Sequence, residues 1–181
     1  MLPVSSEEHR SPPARRGAMT EQDEHVHHVD QDDHVLGRVS RIEAHRLGLL
    51  HRAGCVIIRD RQGRFFLARR ARTKTIFPGH WDWPCSFHVT WGETYEQAAA
   101  RELLEETGIR AVPEVLGTVV IDEAPDHLVV RAYLSIHDGP LHLDPTESES
   151  GAFVEPRRVE EVLRTEPTTS WLGPTWALLL R

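Results

Sequence analysis

Residues 93–109 of the chain read ETYEQAAARELLEETGI. Alanine and leucine, which favour helix, fill the centre of this stretch. Thr94 and Gln97, three residues apart, form the reciprocal capping pattern of a helix start, and Gly108 is a typical C-terminal stop. The sequence therefore predicts a helix over residues 95–107.

Three carboxylates of this predicted helix share one side, because residues three and four positions apart are neighbours on a helix. They are Glu102, Glu105 and Glu106. A divalent cation with a preference for oxygen ligands would relieve their repulsion, although a solvated acidic face is the commoner use of such a spacing. The residues expected to pack on a sheet from the other side are Ala100, Leu103 and Leu104.

The surrounding residues match a known pattern, G-x5-E-x7-R-E-U-x-E-E-x-G-U, in which U is aliphatic. On these residues the chain resembles the Nudix hydrolases, whose Nudix box has this pattern. The matching residues are Glu93, Arg101, Glu102, Leu103, Glu105, Glu106, Gly108 and Ile109. The first glycine does not match, because Phe87 stands in its place.

The order of predicted elements indicates an α+β or α/β class with a mixed sheet, since strands dominate and helices lie between them. The resemblance implies a Nudix α/β/α sandwich over residues 24–181, with an extra N-terminal hairpin at 25–39. Ser40 and Gly48 bracket a short helix after that hairpin. Residues 1–23 are polar and proline-rich and predict a disordered tail.

The resemblance also implies roles for the residues of the box. Glu102, Glu105 and Glu106 would be the metal and base carboxylates, with Mg²⁺ or Mn²⁺ as cofactor. Arg101 and Glu93 would orient the helix and its loop through a salt bridge. A further acidic ligand is expected before the last strand, where Glu147 is the first choice and Glu149 the rival.

Basic and aromatic residues outside the box are candidates for substrate binding. Arg69, Arg70 and Lys74 are expected to meet phosphates, with some of them at solvated strand ends instead. Trp81, together with Trp83 and Trp91, either stacks on a nucleobase or closes the sheet edge and core. Two further tryptophans, Trp171 and Trp176, are expected to be packing residues.

Residues 43–53 and 69–81 are similar to the isopentenyl-diphosphate isomerase-like branch of the superfamily. That likeness implies a second metal site at His45, His51 and His88, for which ordinary core or cap histidines are the alternative. Three features argue against isomerase activity. First, Ser86 replaces the isomerase cysteine, while Cys85 is expected to face the other side of its strand. Second, no carboxylate is expected near His127 and Val129. Third, the Nudix box is complete.

The composition limits the partners. The formal net charge of −7 argues against a nucleic-acid platform, and no apolar run is long enough to span a bilayer. Cys55 and Cys85 exclude a disulfide framework and fit a cytoplasmic protein. The resemblance makes a homodimer through the N-terminal strands plausible.

The sequence thus predicts a metal-dependent hydrolase. Its substrate would be a small molecule of nucleotide type, a nucleoside diphosphate linked to another moiety. The alternatives are an isopentenyl-diphosphate isomerase and a non-catalytic module that senses a nucleotide.

Overall fold

The computed structural model of the protein describes residues 24–181, and the predicted tail at 1–23 lies outside that range. The strands are β1 (His25–Val29), β2 (Val35–Ser40), β3 (His51–Arg59), β4 (Phe65–Arg70), β5 (Trp81–Asp82), β6 (Cys85–His88), β7 (Glu114–Glu123), β8 (Asp126–Ile136) and β9 (Ser148–Val154). The helices are α1 (Arg41–Leu47), α2 (Tyr95–Thr107), α3 (Pro156–Thr165), α4 (Leu172–Trp176) and a 3₁₀ helix, Ala177–Leu180.

Strand β3 organises a mixed sheet. It pairs in parallel with β8 and antiparallel with β1 and β6, while β2 and β7 extend the sheet on its two sides. Strands β4, β5 and β9 form a second antiparallel group. The two groups meet through a single β3–β4 pair, Arg59 with Phe65. Beyond this pair, the sheet is split between β4 and β6, which are not hydrogen-bonded to each other.

The two faces of the sheet bury separate cores, as alternation along a strand requires. On β3, Val56 and Ile58 pack with α2, whereas Cys55 and Ile57 pack with α3 and α4. The observed order of layers is therefore helix, sheet, helix. The predicted mixed sandwich, with an added hairpin of β1 and β2, is confirmed.

Helix α2 has the predicted limits. Thr94 accepts the Gln97 N–H, the Gln97 side chain accepts the Thr94 N–H, and Gly108 ends the helix in the left-handed region. The expected faces of this helix were wrong at Leu104 and at Glu106. Leu104 is 37% exposed, whereas Glu106 is only 9% exposed, because Glu106 lies three residues after buried Leu103 on the same helical stripe.

The short helix predicted after the N-terminal hairpin is also present. Helix α1 begins after Ser40, whose hydroxyl accepts the Glu43 N–H, and ends at Gly48 as expected. The C-terminal segment forms α4, which begins at Leu172, and a 3₁₀ helix directly after it. Within residues 24–181, none of the helices combines the length and the apolar character that crossing a membrane would require.

Candidate active site

A cavity of about 170 Å³ lies in the split of the sheet. Its wall includes Glu102 and Glu106 from α2, Arg70 at the end of β4, and His88 from β6. Apolar residues of β3 and β8, among them Ala53, form another part of the wall. The cavity therefore combines carboxylates, cations, imidazoles and apolar surface.

Arg101 organises the carboxylates of the box. Its guanidinium binds Glu93 in a bidentate manner, with nitrogen–oxygen distances of 2.9 and 2.8 Å. The same side chain donates to Glu102 at 2.6 Å and to Glu105 at 3.2 Å. One arginine thus links the loop before α2 to two of the three predicted metal carboxylates, which fixes their orientation.

The three box carboxylates differ in environment. Glu105 has a side chain that is 60% exposed, whereas Glu102 and Glu106 are largely buried. Burial raises the pKa of Glu102 to about 7, against the lowering effect of Arg101. Burial and the neighbouring Glu102 and Glu147 raise the pKa of Glu106 well above its ordinary value. Crowded, desolvated carboxylates of this kind are the oxygen donors that a hard divalent cation requires, so the residues fit Mg²⁺ or Mn²⁺.

Glu147 is a further carboxylate of the cavity. It lies just before β9, and its Oε2 accepts from Lys74 Nζ at 2.6 Å. Both residues line the cavity. The rival, Glu149, pairs instead with Arg72 at 3.5 Å and is not among the described residues that line the cavity. The structure therefore brings Glu147, rather than Glu149, to the box carboxylates.

The predicted substrate-binding residues separate into two groups. Arg70 and Lys74 line the cavity. Arg69 and Trp81 are absent from its described lining, and each has partners elsewhere. Arg69 donates to the Gly79 carbonyl at 2.9 Å and lies over the Trp81 ring, whose nitrogen donates to Glu166 at 2.6 Å. Trp171, expected only to pack, belongs to the core and also lines the cavity.

The three histidines suggested by the second resemblance do meet. His45 Nε2 and His88 Nε2 are 3.2 Å apart, and the ring centroids of His45, His51 and His88 lie 4.9–5.2 Å from one another. His51 is fully buried, and its Nδ1 donates to the Leu49 carbonyl at 2.7 Å. Its Nε2 has no hydrogen-bond partner among the described residues.

The protonation of these histidines suits metal binding. Burial lowers the pKa of His51 to about 4 and that of His88 well below its ordinary value. Both rings are therefore neutral at pH 7, which is the form that ligates a transition metal. One ring nitrogen of each histidine lies within 4.8 Å of a ring nitrogen of each of the other two.

One expectation about the isomerase was wrong. A carboxylate does stand near His127, because Asp126 begins β8 and lines the cavity while only 1% exposed. Asp126 accepts from Ser170 at 2.5 Å, and burial raises its pKa. Strand β8 begins two residues before its apolar run, so the sequence did not indicate that Asp126 belongs to the strand. The other expectation holds, since Cys85 is buried on the α2 side and Ser86 lines the cavity.

Comparison with known proteins agrees with this fold. The family model of the NUDIX domain matches residues 49–172, so the chain is a Nudix-domain protein. An uncharacterised Nudix hydrolase of Pseudomonas aeruginosa is 34% identical over 140 residues, 77% of this chain and 83% of the relative. The chain therefore belongs to the Nudix hydrolase family.

Relatives with a different name also match. The isopentenyl-diphosphate Delta-isomerase of Serratia proteamaculans is 33% identical over 150 residues, 79% of this chain and 84% of the relative. Among solved structures, protein DR0079 of Deinococcus radiodurans superposes with a TM-score of 0.77 at 23% identity, covering 87% of this chain and 100% of that one. This last likeness supports the fold.

Proposed function

We propose that the protein hydrolyses a diphosphate bond in a nucleoside diphosphate linked to another moiety, with Mg²⁺ or Mn²⁺ as cofactor. The observation that carries the proposal is that Glu102, Glu106 and Glu147 line one cavity with Arg70 and Lys74. Glu102, Glu105 and Glu106 would hold the cation, and Glu147 would join them. Bound there, the cation would neutralise phosphate charge and acidify the attacking water.

The chain's own residues supply the remaining steps. Arg101 and Glu93 keep α2 and its loop in register, so that the carboxylates meet the diphosphate at fixed positions. Arg70 and Lys74 would bind its non-bridging oxygens. Glu106 or Glu147 would take the proton from the attacking water, directly or through a second water. Glu147 is held by Lys74 until a phosphate oxygen competes for that ammonium.

The experiment is a metabolite screen. The protein would be incubated with Mg²⁺ or Mn²⁺ and a pool of nucleoside triphosphates, ADP-ribose, nucleotide sugars, dinucleotides, coenzyme A and isopentenyl diphosphate, followed by mass spectrometry. Glu106→Gln should lose roughly 10²-fold or more of kcat. Glu160→Gln, on the exposed side of α3, is the matched control and should leave kcat unchanged.

The outcomes separate the candidate functions. A nucleotide cleaved by the wild type and the control, but not by Glu106→Gln, supports the hydrolase and identifies its substrate class. Binding of a nucleotide without turnover under any metal condition would replace the hydrolase by a nucleotide-sensing module. Cleavage that survives Glu106→Gln would contradict the assigned carboxylates.

A second candidate function is isomerisation of isopentenyl diphosphate. The observation that favours it is that His45, His88 and Asp126 line the same cavity. The three-histidine cluster would hold a transition metal, and Asp126 would be the acid. Because the isomer has the same mass, the test is chromatographic separation of the two diphosphates. Asp126→Asn should abolish isomerisation while leaving nucleotide hydrolysis, and metal analysis of His51→Ala should show loss of the transition metal.

A further inference from the structure

Asp82 is a buried carboxylate that the sequence did not single out. It lies on β5 and is 1% exposed, and it is not among the described residues that line the cavity. Five donors surround it. They are Trp83 N at 2.7 Å, Trp171 Nε1 at 2.7 Å, Ser86 Oγ at 3.2 Å, Thr169 Oγ1 at 3.2 Å and Arg70 Nη1 at 3.0 Å. The first four reach Oδ1, so Oδ2 is left to Arg70.

Three of these five donors also belong to the wall of the cavity. Arg70, Ser86 and Trp171 all line it. Ser86 also donates its backbone N–H to Glu106 at 3.2 Å. A single carboxylate outside the cavity is therefore in contact with the cation, the hydroxyl and the indole that form one part of its wall.

Arg70 has unused donors. Its side chain is 12% exposed, Nη1 donates to Asp82, and Nη2 donates to the Ile76 carbonyl at 3.3 Å. Its Nε–H is buried and has no partner among the described residues. A guanidinium carries five N–H groups, and buried donors without acceptors are rare in folded proteins. The remaining N–H groups of Arg70 match the oxygens of an anionic ligand.

The other cations of the cavity are held differently. Lys74 pairs with Glu147 at 2.6 Å, and Arg41 pairs with Glu24 at 2.8 Å. In both pairs the carboxylate lines the cavity together with the cation. In these pairs a bound anion must compete with a carboxylate at the same surface. Arg70 is instead held by a carboxylate outside the cavity, which leaves its cavity side for a ligand.

We propose that Asp82 is a positioning residue for diphosphate binding: it fixes the Arg70 guanidinium so that its unused N–H groups bind a non-bridging phosphate oxygen of the substrate. This inference rests on the proposed function, since it requires a diphosphate in this cavity. It also makes a prediction opposite to that of simple electrostatics. Removing the charge of Asp82 makes the cavity more positive, yet the loss of orientation weakens diphosphate binding.

The test measures binding of methylenediphosphonate, which cannot be hydrolysed, by calorimetry in the presence of Mg²⁺. Asp82→Asn should bind it roughly 10-fold more weakly than the wild type, as expected for loss of a charged hydrogen bond. Thr169→Val removes another donor to Asp82 but leaves Arg70 in place, and it should bind as the wild type does. Arg70→Met should weaken binding as well, and Asp82→Asn should add nothing in that background.

The double-mutant result separates positioning from general stability, because a structural defect would persist without Arg70. Tighter or unchanged binding by Asp82→Asn, or independent effects of the two substitutions, would overturn the inference. If Asp82→Asn does not fold, Arg70→Lys replaces it. Lysine keeps the charge but not the fork, so wild-type affinity in Arg70→Lys would also overturn it.

The two proposals fail in distinguishable ways. If Asp82→Asn and Arg70→Met both weaken binding of the diphosphonate but the wild type cleaves no metabolite, the positioning role is supported and the proposed hydrolase is wrong. If the wild type hydrolyses a nucleotide and Asp82→Asn has the same KM for it, the hydrolase stands and the positioning role falls. A wild type that does not bind the diphosphonate overturns the inference.

Discussion

Replacing Gly54 by alanine should destabilise the protein by about 1–3 kcal/mol. Gly54 on β3 lies opposite Phe87 on β6, and a methyl group at position 54 would meet Phe87 Cζ at 2.6 Å and Cε2 at 2.8 Å. Carbon atoms pack best at about 3.5–4.0 Å, so the ring would have to retreat by about 1 Å. Phe87 is 6% exposed, and the added atom would also meet the Arg131 carbonyl at 3.2 Å.

The assay is urea unfolding of five proteins, followed by circular dichroism. Phe87→Ala alone should cost roughly 3–5 kcal/mol through the cavity it leaves. The double variant should cost at least about 1 kcal/mol less than the sum, because the alanine methyl fills part of that cavity. Gly37→Ala is the control, since nothing lies within 4 Å of its added methyl group. A Gly54→Ala within about 0.5 kcal/mol of wild type, or additive effects, would refute the reasoning.

Three further predictions concern α2, the loop before it and strand β1. Thr94→Ala should cost roughly 1 kcal/mol of unfolding free energy, because it removes the acceptor for Gln97 N–H; thermal melts against Thr94→Ser test this. Arg101→Lys should lower kcat/KM by roughly 10-fold or more, because lysine cannot bind Glu93 in a bidentate manner; unchanged kinetics would remove Arg101 from the site. Burial lowers the pKa of His27 in the folded protein below the ordinary value of about 6.5. The contribution of His27 to stability is therefore present above about pH 6.5 and is lost as the pH falls through the pKa of the folded state. His27→Gln should therefore lose less stability than the wild type between pH 7 and pH 5, and parallel pH profiles would exclude this role.

Local rules were sufficient where neighbouring residues in the chain decide the structure. Helix α2 has its predicted limits because Thr94, Gln97 and Gly108 specify its ends without help from the sheet. The pairing of Arg101 with Glu93 also follows from spacing within one segment. The departure at Phe87 is accommodated by a glycine on another strand, which the sequence could not show because β3 and β6 are far apart in the chain.

The rest of the site depends on tertiary contacts. Asp82 looks like an ordinary residue of a loop until folding brings Arg70, Thr169 and Trp171 to it. Asp126 and Trp171 reach the cavity in the same way, from the start of β8 and the C-terminal segment. Periodicity indicates that a side chain is buried. It does not indicate which distant donor or ligand that side chain meets.

The N-terminal hairpin and the helix after it have a consequence for where the protein can be truncated. Strand β1 is hydrogen-bonded to the loop before α2, with Trp91 N donating to the His25 carbonyl at 2.7 Å. Glu24, Arg41 and His45 line the cavity, although all three precede the first residue of the matched family region. An expression clone trimmed to residues 49–172 would encode the Nudix box but would lack part of the cavity wall.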